Sequence, residues 1–315
     1  MIRITRSFIA ADALAELIEQ EYGLPAPVEC KLFSKLLRTQ DNDHYLVTAG
    51  PNKYVMRVYQ LGKHLQRHES DYRYELDWLN FLHQHKLPVA YPIARQNGSF
   101  LGQLDAPEGL RYYAMFSLAL GNSMNVNNQN QLFALGSNMA QIHRASDQYN
   151  NPHSRKPMDL DFLIDKPLRR LSKYWEHHRV QNVELLSDLA AEAKVEIETW
   201  LASNPPAGSW GPIGGDFHSS SVFFNDKNEP TFFNFDLCGP GWRAYDIASF
   251  LLNTELMRKP QELSEAFFAG YYSVRPLSDG EHEIISTFLT VRRIWLTSIF
   301  SLDDGLVGHT FIAPA

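Results

Sequence analysis

The chain is short of cysteine, with two in 315 residues, Cys30 and Cys238. That excludes a disulfide framework and a cysteine-built metal site, and it leaves two thiols expected to be buried and reduced, as in a cytosolic protein. No apolar run approaches the roughly 18 residues that a membrane-spanning helix needs. The N-terminal stretch carries Asp12, Glu16 and Glu19 where a secretory signal would need an apolar core, so no export or membrane segment is expected. Dense basic runs are missing too. The 29 lysines and arginines are scattered and the formal net charge is −7, which gives no electrostatic footprint for nucleic acid or an anionic membrane. The cytoplasm is the expected location.

What is present is ordinary globular composition, 44% hydrophobic and 21% charged, in a length that suits one large domain or two lobes with a shared cleft. Residues 8–22 read as an amphipathic helix, with Ile9, Leu14, Leu17 and Ile18 on one side and Gly23 at its end. Strands are expected over 27–33, 44–48 and 54–59, with Asp41, Asn42 and Asp43 marking the turn between the first two. A helix over roughly 66–86 places Tyr72, Leu76, Leu79 and Leu82 along one stripe, with Glu75 on its edge. Strands near 100–104 and 111–116 lead into SLALGNS (117–123), and from there the chain is mostly helical: 131–147, 157–175, 183–201, 243–255, 260–273 and 281–300. His143 falls near an apolar stripe, where a histidine is more often a hydrogen-bonded core residue than a ligand.

One region carries chemistry. GGDFHSSSVFF (214–224) is followed by NFDLCGPGWRAYDIASFLL (234–252). It resembles the aminoglycoside phosphotransferase, choline kinase and homoserine-kinase-like group, in which a segment close to HGDxHxxN precedes I-D-F-D and then G-x-x-x-Y-D-[IL]-A. Gly215, Asp216 and His218 match the first motif, with Gly214 where its first histidine would be, and Asp236, Gly241, Tyr245, Asp246, Ile247 and Ala248 match the rest. The resemblance implies an α+β, bilobal, protein-kinase-like fold with a small β-rich N-terminal lobe (1–117) that binds nucleotide and a large α-rich C-terminal lobe (118–315) for catalysis and substrate.

Phosphoryl transfer needs an acceptor hydroxyl in line with the γ-phosphate, a carboxylate to orient it and take its proton, and divalent cations to neutralise the phosphates. Asp216 is the candidate carboxylate. In kinases the first metal-binding side chain lies five residues further on, and here that position is Ser221 instead of asparagine. The second ligand, an aspartate opening I-D-F-D, falls at Asn234; an alternative register makes Asp236 the ligand. Asn234 and Asp236 are expected two apart on a strand, so that their side chains leave the same face. Magnesium is a hard cation held through carboxylates, phosphate oxygens and water, so the amide of Asn234 in place of a carboxylate keeps an oxygen ligand but removes a full negative charge, and Ser221 is shorter than the asparagine it replaces.

By the same resemblance, Arg57 in YVMRVY (54–59) stands at the phosphate-binding lysine position, with Glu75 as its partner. Met115, Ser117 and Leu118 stand at the interlobe hinge whose backbone would hold the adenine of ATP. No glycine occurs between Gly23 and Gly50, so a G-x-G-x-x-G phosphate-covering loop is absent there. Asp246 resembles the aspartate that braces the catalytic loop. Trp242 and Arg243 would border the cleft or simply pack.

The implied activity is ATP- and magnesium-dependent phosphorylation of a hydroxyl on a small molecule, with an acceptor pocket built from 157–201 and the last helices. Asp303 and Asp304 are candidates to receive a cationic substrate, or a solvated turn. The alternative, from another class, is a pseudokinase that binds a nucleotide, metabolite or protein partner without transfer. Ser221 and Asn234 alter both metal positions, and Gly214 changes the flanking histidine.

Overall fold

The computed structural model describes residues 7–33, 42–60, 68–178, 183–256 and 260–301. The chain divides into two compact units, one of Met1–Gln84, Val89–Ala119 and Asn151–Ser154, the other of His85–Pro88, Leu120–Asn150 and Arg155–Ala315. The fold is α+β and bilobal, with the strands concentrated in the first unit and the helices in the second.

In the first unit, α1 (Ala11–Tyr22) buries Leu14, Ile18 and Tyr22, one turn apart. Five strands follow: β1 (Val28–Leu32), β2 (Asp43–Ala49), β3 (Asn52–Val58), β4 (Gly102–Ala106) and β5 (Gly109–Ser117). They form one antiparallel sheet in the order β1-β2-β3-β5-β4. Strand β2 alternates strictly, burying Asp43, Tyr45, Val47 and Ala49. Tyr45 and Val47 join Leu14, Ile18, Met56 and Met115 in one apolar cluster. This period-two pattern fixes the register, because a one-residue slip would turn that row out to water. Register then sets Arg57 opposite His44 on β2 and Ala114 on β5. Helix α2 (Glu69–Gln84) buries the expected stripe, and Glu75, expected at its edge, is fully buried among it.

The second unit begins with β6 (Asn122–Ser123) and α3 (Gln129–Ser146), whose Asn128 cap accepts from the N–H groups of Asn130 and Gln131. The helix expected over 157–175 starts later. A π-helical turn over Asp161–Asp165 leads into α4 (Lys166–His178), because Met158 gives its N–H to the Pro240 carbonyl at 2.7 Å and Asp159 Oδ1 takes the Phe162 N–H at 2.9 Å. Helix α5 (Val183–Ala202) follows. Four short strands, β7 (Trp210–Ile213), β8 (Val222–Phe224), β9 (Pro230–Phe232) and β10 (Gly239–Trp242), pair as β10-β7 and β6-β8-β9. Helices α6 (Arg243–Leu256), α7 (Pro260–Tyr272) and α8 (Asp279–Phe300) complete the unit, the last with a capping box between Ser278 and Glu281. No helix among the described residues is long and apolar enough to cross a membrane. Asp41, Asp303 and Asp304 lie outside the described residues.

Candidate active site

The chemistry-bearing residues of the second unit sit where β7 ends. Gly215 has φ +76°, a left-handed backbone that a side chain resists, and a β-carbon there would lie 2.4 Å from Met158 Cε and 2.7 Å from the Leu237 carbonyl. The turn is held from helix α6. The Asp246 carboxylate, fully buried in the first helical turn, accepts the N–H groups of Gly214 and Gly215, each at 2.7 Å. Its third neighbour is His143 Nε2 at 3.2 Å, and the other ring nitrogen faces the Tyr271 hydroxyl at 2.8 Å. Burial pushes the Asp246 carboxyl up to about 7, against the opposing pull of the two backbone N–H groups and of Arg243 and Arg292. Burial, then Arg243 and Arg275, draws His143 well below the ordinary histidine value. His143 is thus a hydrogen-bonded core residue.

Asp216 follows the braced glycines, with 19% of its side chain exposed. Oδ1 is paired with Arg292 Nη2 from α8, and Oδ2 stands 3.7 Å from His218 Nε2. Arg292 also donates through Nη1 to the Tyr245 hydroxyl at 3.1 Å and to the Gly215 carbonyl at 3.3 Å, and its guanidinium lies 4.8 Å from the Trp295 ring centroid. Burial alone would lower its proton affinity, but its interactions with Tyr245 and with the Asp216 carboxylate outweigh that and hold the value above the ordinary.

His218 Nδ1 accepts the Ser220 N–H at 3.2 Å, so the neutral ring carries its proton on Nε2 and donates to Ser221 Oγ at 2.8 Å. Ser221 is 3% exposed, in a 3₁₀ turn over Ser219–Ser221 that Asn253 anchors by accepting the Ser219 N–H at 3.1 Å. Asn234 and Asp236 do not lie on a strand. Strand β9 ends at Phe232, Asn234 takes a left-handed φ of +66°, and Asp236 enters a turn closed by Cys238 N–H on the Phe235 carbonyl. The expectation of a shared strand face therefore fails. Arg155 grips this turn, donating through Nη2 to the Asp236 carbonyl oxygen at 2.5 Å, with Nη1 3.6 Å from Cys238 Sγ. Among the described residues, no group of three or more His, Cys, Asp or Glu gathers into a metal-holding cluster.

In the first unit, Arg57 Nη1 donates to Glu75 Oε1 at 2.6 Å, and both side chains are nearly or fully buried. Arg57 Nε donates to His44 Nε2 at 3.2 Å, its guanidinium carbon lies 4.7 Å from the Phe116 ring centroid, and the Tyr59 hydroxyl donates to Glu75 Oε2 at 3.2 Å. Of the hinge residues, Met115 is wholly buried and its carbonyl accepts the Ile93 N–H at 2.8 Å. Ser117 gives its N–H to the Tyr91 carbonyl and accepts the Tyr91 N–H on Oγ at 3.1 Å. Only Leu118 of the three makes no backbone hydrogen bond among the described residues.

Trp242 and Arg243 pack. Trp242 is 5% exposed against Trp210 and Phe288, and Arg243 is fully buried, bonded to Asp147 and the Pro212 carbonyl. The residue that motif reading missed is Arg292. It lies on the apolar stripe Ile285, Phe288, Arg292 and Trp295, all buried. A charge at core spacing on a helix was the available signal.

A model described as "Phosphotransferase enzyme family" matches residues 33–282. An uncharacterised protein of Synechocystis is 31% identical over 294 residues, which cover 93% of this chain and 78% of that one. A homoserine kinase of Neisseria meningitidis is 24% identical over 281 residues, 86% of this chain and 84% of that one. Among solved structures, the amicoumacin kinase hAmiN in complex with AMP-PNP, Ca²⁺ and Ami superposes with a TM-score of 0.75 at 17% identity, over 96% of this chain and 92% of its own. That likeness shows the fold.

Proposed function

The chain belongs to the phosphotransferase enzyme family, and from that footing we propose that it moves a phosphoryl group from ATP to a hydroxyl of a small molecule, with Asp216 as the carboxylate that orients the hydroxyl and takes its proton. The observation that carries this reading is the construction around Asp216. One oxygen is fixed by Arg292, the backbone ahead of it is fixed by Asp246, and the side chain remains partly open to solvent. Positioning and electrostatics are most of what a phosphotransferase supplies.

Arg57, held by Glu75, is the group for the nucleotide phosphates, and the Leu118 backbone is the group for adenine. The oxygen donors of Ser221, Asn234 and Asp236 suit a hard cation in kind, although only Asp236 brings a charge. Bound there, magnesium would neutralise phosphate charge. With Ser221 engaged by His218, the protein's own hold rests on Asn234 and Asp236, and metal affinity is weakened. Losing one preorganised electrostatic partner costs on the order of 10²–10³ in rate.

ATP turnover against amino alcohols, sugars and aminoglycosides tests the proposal, with amino alcohols first because a relative is a homoserine kinase. Turnover abolished by Asp216→Ala supports it, and turnover unchanged by that substitution sinks it. The second reading, a pseudokinase, is favoured by one observation: the Ser221 hydroxyl is buried and already bonded. ATP binding that ignores magnesium in a thermal-shift titration, without turnover of any acceptor, would select that reading.

A further inference from the structure

Asp216 is a carboxylate with two chemically equal oxygens, and a phosphoryl acceptor can use only one of them at a time. The terminal torsion of aspartate is broad and nearly two-fold, so nothing intrinsic to the residue selects an oxygen. The surroundings do. Arg292 takes Oδ1, and Oδ2 is left on the side of His218.

The guanidinium that makes this selection is an expensive one. Arg292 is 3% exposed in the middle of an apolar helix face, and its Nε is buried without a hydrogen-bond partner among the described residues. A buried charge with an unmet donor is a poor stabiliser compared with a well-packed apolar side chain of similar volume. Its fork is nevertheless spread over three acceptors that all belong to the Asp216 neighbourhood: the carboxylate itself, the Gly215 carbonyl one residue before it, and Tyr245, the neighbour of the bracing Asp246. Lysine, whose three donors share one compact centre, lacks the planar fork that here reaches the carboxylate, the backbone carbonyl and Tyr245 at once.

Resting on the phosphotransferase reading, we propose that Arg292 is the positioning residue for Asp216, occupying Oδ1 so that Oδ2 alone faces the acceptor hydroxyl. Arg292 acts through the carboxylate and touches neither substrate. Its loss should therefore appear in turnover and not in nucleotide binding, because a misaligned base spoils the reacting geometry while the ATP contacts stay intact.

The experiment is steady-state kinetics of Arg292→Met, Arg292→Lys, Asp216→Asn and the Asp216→Asn/Arg292→Met double variant, with the best acceptor from the panel. Arg292→Met is expected to lower kcat by about 100-fold with KM for ATP within about threefold. Arg292→Lys should recover part of that loss, to within about tenfold of the parent. The double variant should be no slower than Asp216→Asn alone, as expected of two residues acting as one unit. Losses that multiply in the double variant, an Arg292→Lys enzyme with full kcat, or an effect confined to KM would each overturn the proposal. If Arg292→Met does not fold, judged by circular dichroism, the lysine variant carries the decision. The parent protein separates the two failures: no turnover of any acceptor sinks the phosphotransferase reading and this inference with it, whereas turnover by the parent with an indifferent Arg292 sinks this inference alone.

Discussion

His218 Nε2 lies 2.8 Å from Ser221 Oγ, so the residue that stands where the motif has its asparagine is held by a ring three places before it in the chain. The hydroxyl accepts that proton inside a buried turn. Ser221→Ala is expected to cost about 1 kcal/mol in urea unfolding, the usual net worth of one hydrogen bond. It should leave the magnesium dependence of ATP-induced thermal stabilisation unchanged. A marked loss of that dependence would return Ser221 to the metal ligands.

Asn234 can be given the charge that the motif expects. Its left-handed backbone admits aspartate at little strain, so Asn234→Asp is expected to fold and to raise the apparent affinity for magnesium by about tenfold, or ~1.4 kcal/mol. Isothermal titration of magnesium into the ATP-bound protein measures this. No gain would show that the segment does not contribute to the cation site.

The buried pair of Arg57 and Glu75 gives a stability test independent of activity. Glu75→Leu leaves a guanidinium in the core without its carboxylate, which should cost about 3–5 kcal/mol in denaturant unfolding. The Arg57→Met/Glu75→Leu double variant should recover most of that. Equal losses in the single and double variants would mean that packing, not charge, dominates.

Asp246 and His143 predict a flat stretch in the pH profile of stability. The Asp246 carboxyl rises from 3.8 unfolded to about 7 folded, so alone its contribution is complete below pH 4 and lost as pH rises toward 7. His143 is drawn below 6.5 on folding, so alone its contribution is complete above 6.5 and lost as pH falls. In the part of this range above the folded His143 value, the folded pair and the unfolded pair each hold one proton, and the slopes cancel. His143→Gln should unmask the aspartate, with unfolding free energy falling as pH rises from 4 to 7. A His143→Gln profile as flat as the parent's would refute the raised carboxyl.

Restoring the motif histidine should do harm. A β-carbon at Gly214 would lie 2.6 Å from the Phe217 ring, which packs edge-on against Phe232 and Phe235. Gly214→His is expected to destabilise by about 1–3 kcal/mol, and Phe217→Leu in the same chain should relieve part of it. Melting curves of the parent and the two variants decide.

The strand and helix sequence was largely legible, because period-two burial in β2 and helical spacing in α1, α2 and α3 are properties of local sequence. Motif spacing also brought Arg57 to Glu75 and Asp246 to the Gly214–Gly215 turn. What failed were features set by tertiary partners. Asn234 leaves the strand path at a left-handed residue, and the helix after Pro157 is delayed by a bond from Met158 to a strand 82 residues further on. Arg292 reaches Asp216 from 76 residues away, a pairing that no local pattern encodes.

The two N–H groups that Asp246 collects from Gly214 and Gly215 have a consequence for motion. Those amides can meet solvent only if the start of α6 parts from the end of β7, an opening of the packed interior and not a loop fluctuation. Hydrogen exchange should therefore find them among the slowest in the chain. The expectation is a backbone that holds still ahead of Asp216, so that any ligand-dependent change in exchange should fall in other segments.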